Sequence, residues 1–296
     1  SKRLPAYVIV RKIDQIPCPC AYVNEMNKED VYYFIILTLC LVSGHFIRKL
    51  QNKQSRKWIS TILGVIIIIY LSSWGIIFPL SLVLINAAII NIFRSCHVYS
   101  FFICFIHLIL LRSMEFWGMA PLNNFLNTAQ MLLTLKMIGV AYEVSATRVL
   151  SSKIEKCPSK QHELEYQYTA VNPSLLDLIH YSFNYIGLLT GPYFKFRTFS
   201  DFYNNSYCDK ASCTKAAWSR FMNIPLYIGM FLLSDAVFPL SNLTQEEVYS
   251  KWSFWYKIFY MTPTFFTFRM RLCIGFVLAE CICMSQGLGC YPSRFC

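Results

Sequence analysis

The stretch Trp58–Phe93, WISTILGVIIIIYLSSWGIIFPLSLVLINAAIINIF, runs 36 residues without a charged side chain. A helix needs roughly 20 apolar residues to cross a bilayer core, so this run is too long for one crossing and right for two. Ser72-Ser73-Trp74-Gly75 and Pro79 supply a hinge between them, with a tryptophan suited to the membrane interface. Further apolar runs flank it: Val31–Ile47, ended by Arg48-Lys49, then Ser95–Leu111 and Phe116–Leu135. Three shorter ones, Leu178–Phe194, Phe221–Ser234 and Ile258–Phe268, are each bounded by Lys, Arg or Asp. The expected fold is all-α, a polytopic membrane helix bundle with about eight membrane-embedded segments, the shorter ones possible re-entrant elements.

Composition agrees. The 296 residues are 55% hydrophobic, 17% aromatic and only 15% charged, against roughly 25% charged in soluble domains. Disordered and collagenous chains have far fewer apolar residues, and a secreted disulfide scaffold has far denser cysteine. Most of the 13 cysteines sit in apolar runs, where a thiol acts as a small hydrophobe. No Cys pair has histidines at zinc spacing, and a Cys208–Cys213 disulfide is the less favoured state of that pair.

Charge sets the orientation. The net charge is +11. Arg48, Lys49, Lys53, Arg56 and Lys57 crowd residues 48–57 with no acid among them, which places that loop in the cytosol. Counting crossings returns residues 143–177 to the same side. Residues 195–220 are also net basic, so either Leu178–Phe194 dips in and returns or an earlier segment does not cross. Met26 is the expected natural start, leaving residues 1–25 as a foreign or disordered extension, because the first residue is Ser and no signal-peptide core is present.

Polar groups inside apolar runs are expensive and usually have a purpose. Asn123, Asn127, Gln130 and Thr134 fall on one helical stripe, read either as interhelical hydrogen-bond glue or as the wall of a wet cavity. His97, His107 and His180 lie in or beside apolar runs and read as hydrogen-bonded membrane histidines. Tyr185, Thr190 and Gly191 belong to the stretch Asn184–Phe199, NYIGLLTGPYFKFRTF, where Gly-Pro is expected to break a helix at the membrane surface. Its Lys195, Phe196, Arg197 and Phe199 then suit the interface, aromatics among the headgroups and cations toward phosphate. Arg269 and Arg271 follow an aromatic run and precede Glu280; these charges should pair or bind an anionic ligand.

Three stretches, Asn127–Val144 (NTAQMLLTLKMIGVAYEV), Asn184–Phe202 (NYIGLLTGPYFKFRTFSDF) and Phe259–Pro292 (FYMTPTFFTFRMRLCIGFVLAECICMSQGLGCYP), resemble the membrane-bound O-acyltransferase family in order and spacing. The resemblance covers 26–292, taken as the N-terminal part of that domain, with 293–296 an aberrant tail. It implies transfer of a fatty acyl group, typically arachidonoyl, from acyl-CoA to lysophosphatidylinositol or another lysophospholipid in the endoplasmic reticulum membrane. Acyl-CoA is then a co-substrate, membrane lipids are the surroundings, and neither a further cofactor, nor a metal, nor nucleic acid is implied.

A thioester is already activated, so the chemistry needs a base for the attacking alcohol and donors for the oxyanion. In the family an Asn and a His carry those roles. Their segments are expected beyond Cys296, so no catalytic residue is assigned. The candidate substrate-binding residues are Asn127, Gln130, Tyr185, Thr190, Gly191, Lys195, Arg197, Arg269, Arg271 and Glu280. A second reading is a non-catalytic lipid-binding or scaffold protein, or a small transporter.

Overall fold

The computed structural model describes residues 19–120, 122–204, 213–244 and 252–291, and every regular element among them is helical. The helices are α1 (Pro19–Arg48), α2 (Lys53–Ser72), α3 (Ile77–Ile92), α4 (Cys96–Arg112), α5 (Asn124–Lys156), α6 (Lys160–Thr169), α7 (Leu175–Phe183), α8 (Phe196–Asn204), α9 (Cys213–Phe221), α10 (Ile224–Val237) and α11 (Phe254–Gln286), with a single helical turn at Ser241–Thr244. The expectation for residues 1–25 falls mostly on residues outside the described ones, as do Cys208 and the tail 293–296.

The hinge in the long apolar run is where the sequence places it. Residues Ser73–Ile76 form one 3-10 turn between α2 and α3, entered through Ser73 at φ 46°. Together Lys53–Ile92 is long and apolar enough to cross a membrane, and Tyr32–Arg48 and Cys96–Arg112 are shorter apolar helices. Outside the bundle α2 presents Ile59, Ile62, Ile66 and Ile69, and α4 presents Phe101, Phe102, Ile106 and Ile109. Inside it are Asn86, Ser100, Gln130 and Thr134. Exposed aliphatic faces over a polar interior suit a hydrocarbon solvent, where only internal partners can satisfy polar groups.

Three segments depart from their expected bounds. The run expected over 116–135 is helical only from Asn124, where Asn123 caps the helix by accepting from the Leu126 N–H. Phe116 and Trp117 instead lie exposed in a 3-10 turn that Gly118 closes at φ 77°. The same helix continues through Lys136 to Lys156, because the charged side chain is buried under aromatic rings and does not end the run. Likewise α11 passes through Arg269 and Arg271 to Gln286. In the Asn184–Phe199 stretch the helix stops at Phe183, eight residues before Gly191-Pro192, so the Gly-Pro pair lies in a turn and breaks nothing.

The chain divides into two compact units. One joins residues up to Leu39 with Phe221–Leu278. There the Thr267 hydroxyl lies 2.7 Å from the Ser234 hydroxyl and 3.0 Å from the Pro263 carbonyl, and Tyr260 donates to the Pro239 carbonyl (2.9 Å). Arg269 is exposed and Arg271 half-buried in this unit. The other unit joins Cys40–Arg220 with the residues from Ala279 onward, and holds the remaining candidate residues. In it α5 packs along α4 and also touches α2 and α3, while α7 sits against α2, α3 and α5.

Candidate functional site

The site is built around a short helix that enters the bundle and does not cross it. Nine residues of α7 cover about 14 Å at 1.5 Å per residue, less than half a bilayer core of about 30 Å. Its entrance is a capping box, Ser174 with Asp177, and Lys57 of α2 pairs with Asp177 at 2.5 Å. Beyond the buried turn 184–195, α8 returns to the same α2 residues. Lys53 donates to the Asn204 carbonyl (2.9 Å), and Arg56 donates to the Phe202 carbonyl (3.3 Å) and stacks over the Phe202 ring (5.0 Å). Both ends of the excursion therefore meet the first turn of α2.

The turn is held by its own polar groups. Asn184 accepts from the Ile186 N–H (3.0 Å) and donates to the Tyr203 hydroxyl (2.8 Å), and the Tyr185 N–H donates to the Ser60 carbonyl (3.2 Å). Tyr181 donates to the Phe194 carbonyl (2.5 Å), closing the turn at its far end. Glu143 of α5 accepts from the Phe196 and Arg197 N–H groups at 3.0 and 3.1 Å, placing a carboxylate at the N-terminus of α8. Burial pushes the Glu143 pKa above its ordinary value, and the two N–H donors with Lys195 and Arg197 oppose that rise.

Phe196 and Phe199 are not at the interface, as expected from sequence, but 5% and 2% exposed. With Phe202 and Tyr203 they form one face of α8, positions three, three and one apart; Phe196 and Phe199 meet Tyr181 edge-on, and Tyr203 packs edge-on against Phe199 and Phe202. The aromatic-basic alternation concealed this helical period. Lys195 is exposed. Arg197 pairs with Asp201 (3.2 Å) and donates to the Ala170 carbonyl (3.0 Å), so it fastens α8 in place. Glu280 pairs with Arg220 of α9 at 2.9 Å, a partner that the Arg271–Glu280 spacing did not indicate.

Each residue of the stripe on α5 holds its own hydrogen bonds. Asn123 caps the helix and donates to the Leu71 carbonyl, Asn127 donates to the Leu122 carbonyl, and Thr134 donates to the Gln130 carbonyl. Asn123 thus ties α5 to α2, and Gln130 reaches α4, where its amide lies 3.1 Å from His107 Nδ1. Ser81 gives its proton to the Phe78 carbonyl, so His107 donates from Nε2 to Ser81 (3.2 Å) and accepts at Nδ1. Similarly Thr61 gives its proton to the Lys57 carbonyl, so His180 Nδ1 donates to Thr61 (2.8 Å). His97 meets Ser145 at 2.8 Å. All three are hydrogen-bonded bundle histidines.

Sequence reasoning missed Lys136, Gly44 and Gln286. Lys136 is 3% exposed, donates to the Tyr181 carbonyl (3.4 Å), and lies 5.3 Å from the Tyr181 ring centre and 5.1 Å from that of Phe194. Its signal was a lysine inside an otherwise apolar helix, a position that needs an internal partner.

The Lys57–Asp177 link gives an acid-sensitive joint. Burial works to raise the Asp177 pKa, but hydrogen bonds from Lys57 and Ser174 with the Lys57 charge outweigh it, and the net shift is downward. A carboxylate with a depressed folded-state pKa contributes stability above the unfolded value, about 3.9, and loses it as pH falls through the folded one. The parent melting temperature should therefore fall more steeply between about pH 5 and pH 3 than that of Asp177→Asn, measured by fluorescence in detergent. Parallel pH profiles would remove Asp177 from this role.

Comparison with known proteins gives the family. The sequence profile of the membrane-bound O-acyltransferase family matches residues 99–292. Membrane-bound acylglycerophosphatidylinositol O-acyltransferase frj of Drosophila melanogaster is 32% identical over 281 residues, 91% of this chain and 57% of its own length. The mboat7 protein of the same description from Danio rerio is 32% identical over 268 residues, 90% of this chain and 56% of its own. MBOAT7 of Homo sapiens, again so described, is 28% identical over 268 residues with the same coverage. The chain thus spans a little over half the length of these relatives. The matched region contains the whole of α7, the buried turn and α8, and the chain belongs to the membrane-bound O-acyltransferase family.

Proposed function

We propose that this chain gathers the lipid substrates of a lysophosphatidylinositol acyltransferase, an enzyme that moves a fatty acyl group, arachidonoyl by preference, from acyl-CoA to the free sn-2 hydroxyl of lysophosphatidylinositol. The observation that carries this reading is similarity along about 90% of the chain to proteins described as acylglycerophosphatidylinositol O-acyltransferases. It is a multi-pass protein of the endoplasmic reticulum membrane, with about eight membrane-embedded segments of which Leu178–Phe194 is re-entrant. Lys195 and Arg269, both exposed, offer cations to the phosphates of acyl-CoA and the inositol lipid. Tyr185, Thr190 and Gly191 of the buried turn, with Gln130 and Asn127 of α5, line the route for acyl chains, and Arg271 serves the headgroup.

No residue of this chain is assigned as the base for the hydroxyl proton. All three bundle histidines already hold Ser or Thr partners, and a general base contributes roughly 10²–10⁴ in rate. The test joins residues 1–292 to the part of the Drosophila relative that follows its matched segment, in microsomes without endogenous activity. Labelled arachidonoyl should pass from its CoA thioester to lysophosphatidylinositol, and the 296 residues alone should give no turnover. A well-folded fusion that leaves lysophosphatidylinositol untouched would favour the non-catalytic lipid-binding reading.

A further inference from the structure

Helix α1 buries Leu37, Cys40, Gly44 and Ile47 at helical spacing. At Gly44 the stripe has no side chain, and two polar groups from distant parts of the chain point at the space a methyl would take. A Cβ built there would lie 2.5 Å from Gln286 Nε2, at the end of α11, and 3.1 Å from the Tyr185 hydroxyl oxygen, in the buried turn after α7. Gln286 is 1% exposed and Tyr185 3% exposed, and neither of these two atoms has a hydrogen-bond partner among the described residues. Buried polar atoms are nearly always paired, because an unpaired one has lost its water and gained nothing. Here two such atoms aim at one spot.

The chemistry of the spot is specific. A phenol hydroxyl and a carboxamide NH₂ are both donors, so together they suit one acceptor oxygen with two lone pairs. The thiols of Cys40 and Cys283 lie near Tyr185 and both are buried, so these neighbours are small and largely apolar. We infer that Gly44, Tyr185 and Gln286 form a seat for the carbonyl oxygen of a lipid acyl group, with the Tyr185 hydroxyl and the Gln286 amide donating to it. The inference rests on the reading that acyl lipids enter this bundle. The carbonyl has two sources, the thioester of acyl-CoA and the ester of a lysophospholipid.

The test measures equilibrium binding of radiolabelled oleoyl-CoA, and separately of lysophosphatidylinositol, to the purified 296-residue chain in phosphatidylcholine nanodiscs. Parent, Tyr185→Phe, Gln286→Leu and Gly44→Ala are compared, each with its ligand-free melting temperature. Tyr185→Phe and Gln286→Leu should each weaken one lipid about 5- to 10-fold, as expected for a buried hydrogen bond. Their ligand-free melting temperatures should stay level or rise, since each change deletes an unpartnered buried atom. Gly44→Ala should weaken the same lipid, its methyl displacing the Gln286 amide. Loss confined to oleoyl-CoA identifies the thioester as the occupant, and loss confined to lysophosphatidylinositol identifies the ester. Parent-like affinity for both lipids in Tyr185→Phe and Gln286→Leu overturns the seat while leaving the proposed function intact. Equal weakening of both lipids with a lowered melting temperature also overturns it, as general loosening. A parent chain that binds neither lipid overturns the seat and the proposed function together.

Discussion

Gly64→Ala should leave little folded protein. A Cβ on Gly64 of α2 would overlap the Phe183 carbonyl oxygen and come within 2.9 Å of the Tyr185 nitrogen and 3.0 Å of the Phe183 carbonyl carbon. Those are backbone atoms of the buried turn and have no rotamer to escape into. One helical turn earlier on the same face, the Ser60 carbonyl accepts from the Tyr185 N–H at 3.2 Å, so any shift that relieves the overlap also breaks that bond. Overpacking costs about 1–3 kcal/mol where side chains can move, and a backbone collision with a lost hydrogen bond should reach about 3 kcal/mol or more. Ile62→Ala is the control, because Ile62 is 51% exposed on the opposite side of α2. The monodisperse fraction from size-exclusion chromatography in detergent should collapse for Gly64→Ala and hold for Ile62→Ala. Equal fractions would mean that α2 and the turn do not meet backbone to backbone.

Lys136 gives the second large effect, through the sign of its charge. The ammonium group has the Tyr181 carbonyl and the faces of Tyr181 and Phe194 around it, all of which present negative potential. Lys136→Glu places an anion against the same carbonyl and ring faces, away from water. An uncompensated buried charge of that kind costs about 3–5 kcal/mol. Lys136→Met keeps the length of the stem and removes the charge with its desolvation cost, so it should melt within a few degrees of the parent. The pair of variants separates charge from packing. If Glu and Met variants melt together, the aromatic pocket around Lys136 is not reading charge.

Much of the helical order was legible because charge-free runs carry it directly. The hinge at Ser73–Ile76 was readable for the same reason: small residues, a tryptophan and a nearby proline interrupt an aliphatic run of excess length. The bounds of α5 and α11 were not, since a charge normally ends a run and Lys136 and Arg271 do not. Whether a lysine terminates a helix depends on what else reaches it, and Tyr181 and Phe194 are some 50 residues away in the chain. The candidate residues show the same limit. Arg197 and Glu280 were visible as charges in unusual places, yet their partners Asp201 and Arg220 were chosen by packing.

The sequence by itself determined the class of solvent, the all-helical content and the family. These follow from composition and local runs, which need no knowledge of what packs on what. Only the tertiary structure decided that Leu178–Phe194 turns back, that the aromatic face of α8 is a core, and that Tyr185 and Gln286 converge on the bare Cα of Gly44. Each of these depends on contacts between residues far apart in the chain. A glycine, a tyrosine and a glutamine lying some 140 and 100 residues apart share no local pattern, and the side chain that Gly44 lacks acquires meaning only when other groups arrive at its place.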